Sequence, residues 1–355
     1  MGDQHQISEL MKILIFSPYQ GMFLKDIIYN GFSALLGKNN VYLYKPQDYD
    51  LSLHDTKIIN KKNIIGSDAI NSGIDKFDYL FIFNSAMLDT NFYKILNRNT
   101  STKKVFVDGM DDFFIRMIYK HPKIDYYFKR ELYKYNIPVT AEFNWWMRYF
   151  VELTRTPGTK GKKTRWLSYW NMPIGLAYKS KFKKVYPLPL TVANSSNNNI
   201  FERKKKYDIS FIGHANNLER IYYLNRLKKY MDENKIYGFL STKIVSRKKY
   251  INTIKDSKIG LSIRGTGYDT WRYWEIPCYG STLLAQKSPI LIPNNFIDEE
   301  SALFFSNFEE LKQKLKKFVI KSDEWREIAR NGNKWFLKYH TPRVRAKNML
   351  EMMGN

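Results

Sequence analysis

The 355-residue sequence has one cysteine, Cys278. An intrachain disulfide is thereby excluded, and the chain suits a reducing compartment. Long apolar runs are absent as well: none approaches the roughly 20 residues that a membrane-spanning helix requires. The first ten residues, MGDQHQISEL, hold no apolar signal-peptide core and read as a leader or tag ahead of the first strand. Together these absences predict a cytoplasmic protein, with the inner face of a membrane as its possible site of action. Acidic residues are in deficit, with 34 Asp and Glu against 58 Lys and Arg, a formal net charge of +24. Such a balance points to anionic company: a phosphorylated substrate, an anionic membrane surface or nucleic acid. No Cys/His finger and no aromatic sheet signature of an RNA-binding module accompanies it, so nucleic acid would rest on charge alone and is not expected. Apolar residues make up 44% of the chain, enough for packed cores and too many for a disordered polyanion binder. The length suggests two domains rather than one.

Residues 12–16 (KILIF) read as a buried parallel strand, followed by the loop 17–21, a helix over 23–36 and a strand at 41–44. This β–loop–α–β opening is the unit of doubly wound sheets, which place ligands beyond the carboxyl ends of their strands. Gln20 and Gly21 are therefore candidates for an acceptor cleft, although a plain turn into the helix explains Gly21 equally. Strands are expected at 79–83 and 104–107 and a helix at 86–96. The second of these strands runs into Asp108, Asp111 and Asp112. Crowded carboxylates raise one another's pKa, which suits a general base; an Asx turn capping a helix from Phe113 is the other reading. Alternating aromatic and basic residues over 113–135 predict an amphipathic helix. The stretch 141–170 carries Trp145, Trp146, Trp166 and Trp170 around a basic glycine-containing loop at 155–165. Such a segment fits a membrane surface or a sugar-phosphate acceptor, or a core helix followed by a solvated hairpin. YPLPL at 186–190 and the Ser/Asn run after it mark a domain boundary, with a linker over 191–206.

The most informative stretch is residues 258–286, KIGLSIRGTGYDTWRYWEIPCYGSTLLAQ. A short apolar run predicts a strand, a loop with Gly265 and Gly267 follows, and a helix begins near Asp269 or Thr270, either of which can cap it. Gly280 is placed to end that helix, and Ser281 opens the next strand. A strand, a glycine loop and a helix N-terminus make an anion site, to which Arg264 and Arg272 add two guanidinium forks. Glu275, three residues beyond Arg272, offers a carboxylate for a ribose diol on the same helix face; an internal Arg–Glu pair is the plainer reading.

The pattern RGTGYDTWRYWE…G resembles the donor-site signature of the spore-maturation-protein group of glycosyltransferases, within the GT-B superfamily related to glycosyltransferase group 1. The resemblance runs from YDISFIG at 207–213 to the C-terminus, with a weaker likeness to the exostosin-type enzymes. It implies an α/β fold of two Rossmann-like domains with an interdomain cleft: an acceptor domain at 11–190, a donor domain at 207–340 and a returning helix at 341–355. It further implies sugar transfer from a nucleotide diphosphate, UDP favoured, to a glycan, lipid-linked or protein acceptor. The implied donor set is Gly213, His214, Arg220, Arg264, Gly265, Asp269, Thr270, Arg272, Glu275 and Ser281. No cofactor or metal is implied, the nucleotide-sugar serving as co-substrate. Retaining relatives carry two glutamates eight positions apart, and Gly267 stands where the first would be. An inverting enzyme needs a base, for which Asp111 and Asp108 are the candidates. A noncatalytic module of the same fold, or a polyanion- or membrane-binding protein, are the competing classes.

Overall fold

Runs of branched and aromatic residues too short for helices, separated by polar turns, set the strand pattern of this chain. In the computed structural model, residues 11–16, 23–44, 61–66, 73–83, 92–134, 173–176, 183–192, 200–215 and 217–354 are described. They separate into two compact units, Met1–Leu188 with Met349–Asn355, and Pro189–Asn348. The proposed acceptor features Gln20, Gly21, Trp145 and Trp146, and the basic loop at 155–165, lie outside the described residues.

The first unit contains β1 (Ile13–Phe16), α1 (Phe23–Leu36), β2 (Val41–Tyr44), β3 (Ile64–Ile65), β4 (Tyr79–Phe83), α2 (Phe92–Asn97), β5 (Lys103–Asp108), β6 (Phe114–Arg116), β7 (Tyr126–Lys129), β8 (Pro173–Leu176) and β9 (Val185–Pro187). Seven strands form one parallel sheet in the order β3-β2-β1-β4-β5-β7-β9. All four residues of β1 and all five of β4 are buried, the pattern of strands covered on both faces. β6 and β8 form a separate antiparallel pair. The Tyr126 hydroxyl donates to the Met353 carbonyl at 2.8 Å, fastening the chain's last residues to this sheet.

Among the described residues of 113–135, which run to 134, there is no amphipathic helix; they hold β6, a short 3-10 turn and β7. Two of the basic residues that suggested a solvated helix face are interior. Lys129 and Arg116 are buried beside two carboxylates, so the alternation is that of a strand whose cations are paired inside the core.

The second unit contains β10 (Tyr207–Ile212), α3 (Leu218–Glu233), β11 (Gly238–Ser241), α4 (Arg247–Lys255), β12 (Ser257–Ser262), α5 (Trp271–Cys278), β13 (Thr282–Gln286), β14 (Leu303–Phe305), α6 (Phe308–Leu315), α7 (Trp325–Tyr339) and α8 (Pro342–Met352), the last of which runs on into the first unit. Its five strands are parallel in the order β11-β10-β12-β13-β14. Residues 290–293 lie outside this sheet, and β14 takes the edge position. Ile209, Phe211, Ile259, Leu261 and Leu284 of the sheet pack with Tyr223 and Leu227 of α3 and Leu311 and Leu315 of α6 in one core. α6 buries Phe308, Leu311 and Leu315, the three- and four-residue spacing of a single helix face.

This strand order reverses between β10 and β12. In an open α/β sheet the connections there diverge to opposite faces, which leaves a crevice beyond the carboxyl ends of the two strands. α5 is aimed at that crevice. It ends in a Schellman turn: Ser281 N–H reaches the Ile276 carbonyl at 3.1 Å, and Gly280 N–H reaches that of Pro277 at 3.2 Å. Gly280 has φ +77°, a conformation that glycine adopts without strain. Buried Asn333 of α7 covers the same end, donating to the Pro277 and Cys278 carbonyls at 2.9 and 3.2 Å.

Candidate functional site

Three arginines converge on the crevice from three elements. Arg220 comes from the first turn of α3, Arg264 from the loop after β12, and Arg272 from the first turn of α5. The Asn217 side chain caps α3, accepting from Arg220 N–H at 2.7 Å, and its amide donates to the Gly265 carbonyl at 2.9 Å. It thereby ties the helix start to the glycine loop. The Arg272 guanidinium spans the switch point: Nη1 donates to the Ile212 carbonyl of β10 at 3.1 Å, and Nη2 faces the Ile263 carbonyl after β12 at 3.4 Å. Arg220 Nη2 donates to the same Ile263 carbonyl at 3.0 Å, and its Nη1 donates to that of His214 at 2.5 Å. Both guanidiniums lie over the Phe211 ring, at 4.7 Å for Arg272 and 5.6 Å for Arg220.

Gathering cations here has an electrostatic cost. Burial, then the neighbouring Arg272 and Arg264, hold the Arg220 pKa well below the ordinary arginine value, and burial lowers that of Arg272. An anion bound in the crevice offsets that penalty. Glu275 lies one turn further along α5 and is 1% exposed. Its carboxylate accepts from the Tyr250 hydroxyl and from Arg247 Nη1, both at 2.5 Å. Burial and this carboxylate push the Tyr250 phenol well above its ordinary pKa, which keeps it a donor. The plain reading of an Arg272–Glu275 pair is therefore not what forms. Arg272 turns to strand carbonyls, while Glu275 turns to α4.

Residues 201–351 match the family described as glycosyl transferase-like. Across the whole chain, the structure resembles HepE from Anabaena, solved with UDP-glucose, with a TM-score of 0.51, 8% identity, and 97% of this chain and 99% of that one covered. The protein has the GT-B fold. A glycosyltransferase from Rickettsia africae aligns with a TM-score of 0.46 and 13% identity over 97% of both chains. TarM aligns with a TM-score of 0.45 and 10% identity over 78% of this chain, which spans only 55% of TarM's length. No curated protein matches the sequence.

Within this GT-B chain, the sequence-predicted donor residues divide into two groups. Gly213, Arg220, Arg264, Gly265 and Arg272 meet at the switch point, with Glu275 beside them and His214 exposed at the rim. The others are occupied elsewhere. Ser281 is fully buried at the amino end of β13, the opposite edge of the sheet, where its hydroxyl donates to the Ile254 and Ser257 carbonyls at 2.5 and 2.8 Å. Asp269 is an internal brace that accepts from Leu190 N–H and Trp274 Nε1, each at 2.7 Å. Thr270 stands at the N-cap position of α5 without capping it; its hydroxyl pairs with Ser262 Oγ at 3.0 Å. Gly265 N–H, expected to face a ligand, donates to the Gly267 carbonyl at 2.9 Å.

The carboxylates after β5 also separate. Asp108 is fully buried, with Lys129 Nζ at 3.1 Å, Arg116 Nε at 3.7 Å and the Tyr127 hydroxyl at 2.7 Å. Asp112 shares both cations. Although its burial acts in the opposite direction, Lys129 and Arg116 hold the Asp112 carboxyl below the ordinary range. The expected mutual raising of carboxylate pKa is thus reversed by cations that the local sequence did not reveal. Asp108 is a core ion-pair residue rather than a base open to an acceptor. Asp111, its side chain 51% exposed and paired with Arg130, stays accessible. Among the described residues no cluster of three or more acidic, histidine or cysteine groups suits a metal. No helix among them is long and apolar enough to cross a membrane.

Sequence reading missed Tyr250 and Arg247 around Glu275, and Glu219 and Gln286 around Arg264. Their only local signal is position, since each lies at or near the end of an element in an α/β unit.

Proposed function

We propose that the second unit binds a nucleoside-diphosphate sugar, UDP-linked by preference, and that the protein transfers the sugar to a glycan, lipid-linked or protein acceptor. The observation that carries this reading is the convergence of Arg220, Arg264 and Arg272 on the β10–β12 switch point, with Glu275 one turn away. The guanidiniums hold the diphosphate, and the carboxylate takes the ribose hydroxyls. In the transfer an acceptor hydroxyl oxygen attacks the anomeric carbon. The bond from that carbon to the diphosphate oxygen breaks, and its electron pair leaves with the nucleoside diphosphate. The arginines stabilise the charge that develops there, a role for which no metal is needed. The acceptor's proton passes to a base, with Asp111 the exposed candidate. HepE, with UDP-glucose in its structure, supports UDP as the carrier. The net charge of +24 supports an anionic acceptor or a membrane-borne one.

The test is a thermal-shift and calorimetric screen against UDP, GDP, CDP, TDP and their common sugars, with and without EDTA. A ligand bound only by the folded protein raises its melting temperature. A shift from one nucleotide that survives EDTA is expected. No shift from any of them, alongside salt-sensitive binding to anionic vesicles or nucleic acid, overturns the donor reading in favour of polyanion binding.

A further inference from the structure

Beside the arginine crevice, and sharing Arg264 with it, lie a carboxylate and an amide that phosphate binding does not use. Glu219 is the second residue of α3, Gln286 the last of β13, and Arg264 follows β12. Glu219 Oε1 accepts from Gln286 Nε2 at 2.5 Å, and Oε2 accepts from Arg264 Nε. The Gln286 side-chain oxygen Oε1 in turn accepts from Arg264 backbone N–H at 3.3 Å. The carboxylate is thus held at both oxygens by groups from two neighbouring strands, and its orientation is set. It is also reachable, because the Glu219 side chain is 32% exposed and that of Arg264 22%. A carboxylate accepts about four hydrogen bonds, and Gln286 and Arg264 use one at each oxygen.

A carboxylate at this place repels phosphate and accepts from a part of the ligand that donates. Sugar hydroxyls have that chemistry. A glycosyl diphosphate presents an anionic part followed by a polyhydroxyl part, the same order in which the arginines and the Glu219–Gln286 pair follow one another along the strand ends. We infer that Glu219, oriented by Gln286 and Arg264, reads hydroxyls of the sugar that the diphosphate carries; this rests on the donor reading above. Glu219 is then a specificity residue, and Gln286 a positioning residue that acts through it.

The experiment compares bare nucleotide with sugar nucleotide on the full chain. Wild type, Glu219→Gln and Gln286→Ala are titrated calorimetrically with UDP and UDP-glucose, and with GDP and GDP-mannose as a second pair. For the pair that the wild type binds, the ratio of sugar-nucleotide Kd to nucleotide Kd rises about tenfold in Glu219→Gln, the size of a lost hydrogen bond to a charged group. It rises less in Gln286→Ala, and both variants keep their affinity for the bare nucleotide, which also reports that they are folded. An unchanged ratio overturns the sugar assignment and leaves the donor reading standing. An equal loss of affinity for both ligands overturns it as well, making Glu219 a support that positions Arg264 for the diphosphate. If the wild type binds none of the four ligands, the donor reading itself fails and this inference with it.

Discussion

A Cβ added to Gly213 would fall 2.3 Å from Arg272 Nη1 and 3.0 Å from its Cζ. The glycine that ends β10 therefore makes room for the guanidinium that bridges β10 and β12. Gly213→Ala is expected to push Arg272 out of the crevice at little cost to the fold, since the far end of a long side chain can move aside. UDP affinity, measured by calorimetry, should fall about tenfold or more through lost charge-assisted bonds, with the melting temperature of the free protein nearly unchanged. Retained UDP affinity in a folded variant would remove Arg272 from the diphosphate.

The carboxylate assigned to the ribose sits beneath Arg247, whose own side chain is 59% exposed. If Glu275 reads the ribose diol, wild type should prefer UDP over 2′-deoxy-UDP, and Glu275→Gln should lose most of that preference. The expected change in the ratio is several-fold, the scale of one hydrogen bond to a charged acceptor. An equal drop for both nucleotides would make Glu275 a support for α4 rather than a ribose ligand.

Asp108 and Asp111 stand three residues apart in the chain and are expected to answer mutation oppositely. Asp108→Asn leaves Lys129 and Arg116 with one carboxylate fewer in the interior, a loss on the order of 3–5 kcal/mol for a broken buried pair. Asp111→Asn removes a half-exposed pair and should cost no more than about 1 kcal/mol. Denaturant titration measures both. Sugar transfer should collapse in Asp111→Asn if that carboxylate is the base, while donor binding persists.

His340 is fully buried, with its Nδ1 3.0 Å from Arg345 Nη2 and its ring against Trp274 and Phe296. Burial, then the Arg345 charge, hold its pKa well below the ordinary 6.5. Above pH 6.5 the imidazole is neutral in folded and unfolded chains alike, and its contribution is fully present. Below 6.5 the unfolded chain takes up a proton that the folded one refuses. Stability is then lost as pH falls toward the depressed value, at up to about 1.4 kcal/mol per pH unit. His340→Gln should show a shallower loss of stability than wild type between pH 6.5 and 5; parallel curves for the two proteins would contradict the assignment.

The legibility of this chain differs sharply between elements. β1 and β4 could be read directly, because a strand covered on both faces needs a continuous apolar run. Gly280 was legible as a helix stop for a local reason, its left-handed turn at φ +77°. The 113–135 segment was misread because its solvation was assumed: Lys129 and Arg116 look like a polar face until Asp108 and Asp112 are placed beside them. Asp269 and Ser281 fall inside the motif and are committed to internal hydrogen bonds, since adjacency in sequence does not settle which way a side chain points at the end of an element.

Most strands, the glycine loop, the start of α5, and the arginines with their carboxylate can be read along the chain. These follow from local sterics, capping and hydrophobic patterning, which act over a few residues. Which of those groups meet is a property of the folded sheet. The order β11-β10-β12-β13-β14 puts the carboxyl ends of β10, β12 and β13 side by side, and so brings Arg220, Glu219, Arg264, Arg272 and Gln286 together from points up to 67 residues apart. Strand order is chosen by packing of the whole sheet against its helices, a long-range energy that no short stretch of chain encodes.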